Sequence, residues 1–142
     1  LGGRAAERLF FKQISTGALS DLEKVTKQAF AMVSIYGLSD KVGNISYYDS
    51  SGQNSGFTKP YSEERAKLID EEVSSLIENQ FKRALKILKD NKEKVCQLAE
   101  ALLKKEVIFK NDLEKIFGIR KWKSYSEEKL KETDKKKIKR KK

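Results

Sequence analysis

The side chains of this sequence able to do chemistry are few, and what is missing narrows the choice first. There is no histidine and only one cysteine, so no zinc finger, Ser/His/Asp triad or Cys/His dyad can be assembled from these 142 residues alone. Gly2-Gly3 lacks both the Gly-x-x-x-x-Gly-Lys-Ser/Thr spacing and a preceding strand, which excludes a phosphate-binding loop. Carboxylates remain. Asp21, read by itself, is an acidic residue in the first turn of a helix, where it complements the positive end of the helix dipole, and Glu7 is equally undistinguished. Ser20 and Glu23, three apart, make a capping-box pattern that predicts a helix start at Ser20. Cys96 falls on an apolar helical stripe, and the expectation is a small buried side chain in a reducing compartment.

The elements that must position these groups are helical. One proline and eight glycines leave long stretches without breakers, and Glu, Lys, Leu, Ala and Ile fill them. Ala5, Ala6, Leu9 and Phe10 recur at helical spacing with no capping residue ahead of them, as in a helix cut open at its start. Gly2, Gly3, Ala5 and Ala6 are small enough for close backbone packing, which predicts a partner upstream of Leu1. Residues 15–21 read as a loop. Leu22, Val25, Ala29, Met32 and Val33 form the apolar stripe of a second helix that stops at Gly37.

Residues 42–48 predict a short extended segment, and 49–59, rich in Ser, Gly and Asn, a mobile loop. Ser62, with Glu63 and Glu64 behind it, opens a helix of roughly eight turns. Its stripe is Ile69, Val73, Leu76, Ile77, Ala84, Leu85 and Leu88. Asn91 breaks it. Val95, Leu98, Ala99, Leu102 and Leu103 define a further helix, expected to complete an antiparallel helical hairpin. A short helix then runs from Lys110 or Asn111 through Phe117 to a stop at Gly118.

Hydrophobic and charged residues make up 38% and 37% of the chain, a balance that fits one soluble, mainly α domain. No apolar run reaches the ~18 to 20 residues that span a bilayer, and no leader pattern is present. The net charge of +10 is concentrated at one end. Residues 120–142 hold 12 of the 31 Lys and Arg but 4 of the 21 Asp and Glu, leaving the rest nearly neutral. The expected division is a folded body over 1–122 and a disordered lysine-rich tail over 123–142. Without a basic face or aromatic platform, no nucleic acid is expected as a partner, although the tail over 135–142 keeps nucleic-acid or anionic-surface binding as a minor alternative.

A set of ordered segments carries a resemblance. They are Leu1-Gly-Gly-Arg-Ala-Ala-Glu7 with Ser15-Thr-Gly-Ala-Leu-Ser-Asp21-Leu22 and Met32-Val-Ser-Ile-Tyr-Gly37-Leu-Ser39; Ala66-x-x-Ile69-Asp70-x-Glu72-Val73; Arg83-Ala84-x-x-Ile87-Leu88; Leu98-Ala99-x-x-Leu102-Leu103-x-x-Glu106; and Ile116-Phe-Gly118-x-Arg120. In order and spacing they resemble the peptidase (M41) domain of FtsH-type, membrane-anchored, ATP-dependent zinc proteases, over about residues 1–122. The resemblance implies that Asp21 is the third zinc ligand. A His-Glu-x-x-His helix upstream of Leu1 would supply the other two ligands and the general-base glutamate.

By the same resemblance, Glu7 and Ser20 stand beside the metal site and support its ligand or the local structure without binding the metal themselves. No catalytic or nucleotide-binding residue is expected within these residues. Two departures from the family pattern stand out: Ser20 where asparagine is usual, and Phe11-Lys12-Gln13 in place of Phe-Gly.

The resemblance further implies ATP bound by an upstream AAA+ module, a homohexamer enclosing a peptidase chamber, protein substrates, and a membrane anchor with this domain on the cytoplasmic side in a bacterium. By itself the chain is expected to be soluble, to bind little or no zinc, to cleave nothing and to self-associate through uncovered apolar faces. The alternative reading is a non-enzymatic helical adaptor domain descended from such a protease, with Asp21 as no more than a helix-start residue.

Overall fold

In the computed structural model, residues 1–48 and 60–119 are described, and every regular element among them is helical. Expectations for the loop over 49–59, for Arg120 and for the basic tail lie outside those residues. The chain divides into two units, Leu1–Asn91 and a second beginning at Lys92.

In the first unit, α1 (Gly2–Ala6) runs directly into a wide π turn, Glu7–Phe11, which ends at Lys12 with φ 56°. A non-glycine residue in this left-handed region is uncommon. Ala5 is fully buried where α1 packs on α3 (Glu63–Asp90), so part of the small-residue face finds its partner within the chain. Gly2 and Gly3 are exposed, and a Cβ at either would meet open space.

The second helix, α2 (Leu19–Ser34), also packs on α3. Ala29 and Val33 from α2, Val42 from the connection and Ile69 and Val73 from α3 make the core, against which Tyr47, Tyr61, Leu68, Leu76 and Ile77 pack. The predicted stripes of α2 and the first half of α3 are the faces that meet. Next to the start of the chain, Leu1, Val25, Ala29, Met32, Leu76 and Ile77 line an apolar groove of ≈ 400 Å³.

Helix α2 closes as the sequence predicts. Gly37 has φ 62°, and the Tyr36 and Leu38 N–H groups donate to the Ala31 and Met32 carbonyls at 2.9 and 3.0 Å. Residues 42–48 form no strand among the described residues. Instead, this segment is stitched to the helices at several points. Tyr47 N donates to Ser34 O at 2.8 Å, Arg65 Nη1 donates to Val42 O at 3.3 Å, and the Tyr47 and Tyr61 rings meet edge-on at 4.9 Å.

Glu72 on α3 accepts from Ser39 Oγ at 2.9 Å and Lys41 Nζ at 2.6 Å, while Ser39 Oγ also accepts from Val42 N at 3.3 Å. Ser62 caps α3 by accepting from Arg65 N at 3.3 Å, as its placement before Glu63 and Glu64 predicts. At the other end, the Asn91 side chain donates to Ile87 O at 2.9 Å.

The second unit contains α4 (Lys92–Lys105) and α5 (Lys110–Phe117). Asp112 accepts from the Phe109 N–H at 3.3 Å and from Lys105 Nζ at 2.7 Å, fixing the entry to α5, and Gly118 (φ 86°) ends it. Val95 and Leu98 are half-buried, but Ala99, Leu102 and Leu103 are exposed. Cys96 is also exposed, against the expectation of burial. At ~100° per residue it lies on the same flank as Ala99 and Leu103, which are exposed as well, so this side of the stripe as a whole is uncovered.

Candidate metal-ligand site

Asp21 lies in the first turn of α2, exposed. Its carboxylate makes no hydrogen bond or ion pair with any described residue. A carboxylate so placed is an oxygen donor open to a cation. No group of three or more His, Cys, Asp or Glu side chains among the described residues is arranged to hold a metal ion.

The helix does not start as the capping-box pattern predicts. A 3₁₀ turn, Thr16–Ala18, precedes it, and α2 is already under way at Leu19. Ser20 is therefore inside the first turn, exposed and without a capping bond. The capping role belongs to Ser15, whose extended backbone (φ −114°, ψ 175°) opens the 3₁₀ turn and whose Oγ accepts from Gly17 N at 3.1 Å. The reason is tertiary: Glu7, eight residues earlier, holds Ser15 in place.

The Ser15 hydroxyl donates to Glu7 Oε1 in a short hydrogen bond, and the Ser15 N–H reaches Glu7 Oε2 at 3.5 Å. Arg4 Nη1 lies 3.3 Å from the same Oε2. It is buried without an aligned hydrogen bond, so the attraction there is between charges. The Ser15 hydroxyl, more than any other neighbour, holds the Glu7 carboxyl below its usual range. Burial opposes this, and the Ser15 N–H and the Arg4 charge add to it.

Glu7 thus ties the π turn to the loop that leads into Asp21. The structure brings Glu7 to Ser15 and leaves Ser20 outside this arrangement. Sequence reasoning missed Ser15, Gly17 and Arg4. A Ser-x-Gly turn signature was available at Ser15, but nothing local joins it to Glu7, because the two sit on different elements.

The sequence profile of peptidase family M41 matches residues 1–116. The chain is 60% identical over 128 residues to an ATP-dependent zinc metalloprotease FtsH of Parabacteroides distasonis, covering 90% of this chain and 19% of that protein. A second relative, from Karelsulcia muelleri and bearing the same name, is 56% identical over 117 residues, 82% of this chain and 19% of its own. The mitochondrial ATP-dependent zinc metalloprotease FTSH 10 of Arabidopsis thaliana is 47% identical over 124 residues, 87% of this chain and 15% of its own. The chain therefore spans less than a fifth of the length of these relatives. With the profile covering four-fifths of its residues, this chain belongs to peptidase family M41.

Proposed function

We propose that this chain is part of the peptidase domain of an ATP-dependent zinc metalloendopeptidase that hydrolyses peptide bonds of unfolded or membrane proteins, and that Asp21 is one of its three zinc ligands. The observation that carries this reading is the exposed Asp21 carboxylate, without a partner among the described residues, at the head of α2 in a chain of family M41. Its donor chemistry fits zinc, which takes carboxylate oxygen alongside imidazole nitrogen. With no histidine in the sequence, the other two ligands and the general base come from outside these residues.

Zinc in such a site supplies Lewis acidity toward water and the scissile carbonyl. This chain's part is to present one charged oxygen donor from a rigid helix start, and to brace it through Glu7 and the loop before α2. The peptidase portion extends over residues 1–122. ATP binding, the hexameric chamber and the membrane anchor belong to other parts of the protein; no helix among the described residues is long and apolar enough to cross a membrane.

The test uses a protein extended upstream, compared with the same protein carrying Asp21→Ala. The parent should hold one zinc and cleave an unfolded protein, the variant should lose both, and residues 1–142 alone should do neither. Unchanged zinc affinity in the variant would return Asp21 to a helix-dipole role and favour the adaptor reading.

A further inference from the structure

We infer that Ser15 is a positioning residue for Asp21: clamped by Glu7, it fixes where the 3₁₀ turn begins, and so the direction in which the first turn of α2 presents its carboxylate. This rests on the zinc-ligand reading of Asp21.

The chain of contacts can be followed from the core outward. Ala5 is fully buried where α1 packs on α3. Two residues on, Glu7 leaves the same helical segment and takes hold of Ser15 through both hydroxyl and N–H. Ser15 in turn accepts from Gly17 N at 3.1 Å, and the turn it opens ends at buried Ala18. Asp21 follows three residues later. Between the left-handed Lys12 and Thr16, Ser15 is the residue that fastens the connection. Gln13 and Ile14 are exposed and make no described bond.

A shift of one residue in where the turn starts rotates every following side chain by ~100° about the helix axis, far more than a metal site tolerates. Space is tight at this point as well. A Cβ on Gly17 would lie 3.2 Å from Ser15 Oγ and 3.9 Å from Glu7 Oε1, so the clamp closes only over glycine without displacement.

The experiment measures zinc Kd by chelator competition, and Tm of the zinc-free form, in the full-length protein and its Ser15→Ala, Ser15→Thr, Glu7→Gln and Asp21→Asn variants. Ser15→Ala should raise Kd by about 10- to 100-fold, the range for residues that orient a ligand. Ser15→Thr, which keeps the hydroxyl, should restore it to within about threefold of the parent by the same reasoning. Glu7→Gln should weaken binding in the parent and add little to Ser15→Ala, because the two act through one contact.

A lower Tm with unchanged Kd would make Ser15 merely structural and overturn the inference. If Ser15→Ala compromises folding, Glu7→Gln must by itself raise Kd, and its failure to do so overturns the inference equally. Loss of zinc in Asp21→Asn with no effect in either clamp variant would refute the positioning role while sparing the ligand reading. Retention of zinc in Asp21→Asn would overturn both.

Discussion

The two units of the chain are stabilised in different ways. In Leu1–Asn91, residues far apart in sequence converge on a core that includes Val33, Val42 and Ile69 at 3%, 2% and 0% exposure. From Lys92 to Ile119, none of the described residues is buried, and Leu103, Phe109 and Ile119 are 84%, 69% and 84% exposed. The second unit depends on local devices: the Lys105–Asp112 ion pair, the Asp112 bond to the Phe109 N–H and the Gly118 stop. Burial packs α2, with Asp21 in its first turn, against α3 through a shared core. Helices held by surface contacts exchange and fray more readily.

The sharpest way to break this contrast is to make comparable deletions in the two units. Ile69→Ala removes a fully buried side chain and should cost about 2 to 5 kcal/mol, whereas Leu103→Ala, at an exposed position, should stay within about 0.5 kcal/mol. Urea denaturation of the two variants reads the difference. Similar losses would show that Leu103 is covered by a partner in solution.

Next in size is the pH response of the Glu72 clamp. Hydrogen bonds from Lys41 first, and then Ser39, hold the Glu72 carboxyl below its usual range, and Glu72 holds the Lys41 ammonium above its own. A depressed carboxyl stabilises fully above its unfolded pKa, about 4.3, and that contribution is lost as pH falls through the lower folded value. A raised lysine stabilises fully below about 10.4, and that contribution is lost as pH rises through the higher folded value. Stability of the first unit should therefore show a plateau between roughly pH 5 and 10 that Glu72→Gln flattens, measured by thermal melts across pH.

In the second unit the sign at acid pH is the same. Lys105, and then the Phe109 N–H, keep the Asp112 carboxyl below its usual range, so acidification should release the start of α5. Amide exchange should accelerate at Leu113 and Glu114 before it does at Ile69 and Val73. The smallest effect is expected at Lys12, where glycine would relieve the left-handed backbone. Lys12→Gly should be stabilising by up to about 1 kcal/mol, because the relief outweighs the entropy glycine adds to the unfolded chain.

What the sequence made legible follows the same division. The apolar stripes of α2 and of the first half of α3, the Ser62 cap, the break at Asn91 and the stops at Gly37 and Gly118 were all readable, since each depends on local spacing or on residues within a turn or two; that the two stripes meet was not. The start of α2 was misplaced at Ser20. Its true opening depends on Glu7 reaching Ser15 across a bend, and Ser15 carries no local mark of that partner. Cys96 shares its flank of the apolar stripe with Ala99 and Leu103, but no described residue of the second unit is buried, so a place on the stripe does not mean burial there. The family was legible from ordered motifs; Asp21 is, to local physics, a helix-start carboxylate, and its place in the first turn of α2 was readable as that.

The most direct measurement of the central claim is an anomalous-scattering map at the zinc edge from crystals of the protein extended upstream. The account predicts a single strong peak about 2.0 to 2.2 Å from an Asp21 carboxylate oxygen, with two further ligands from outside residues 1–142. Zinc bound by other groups, with Asp21 out of reach, would contradict it.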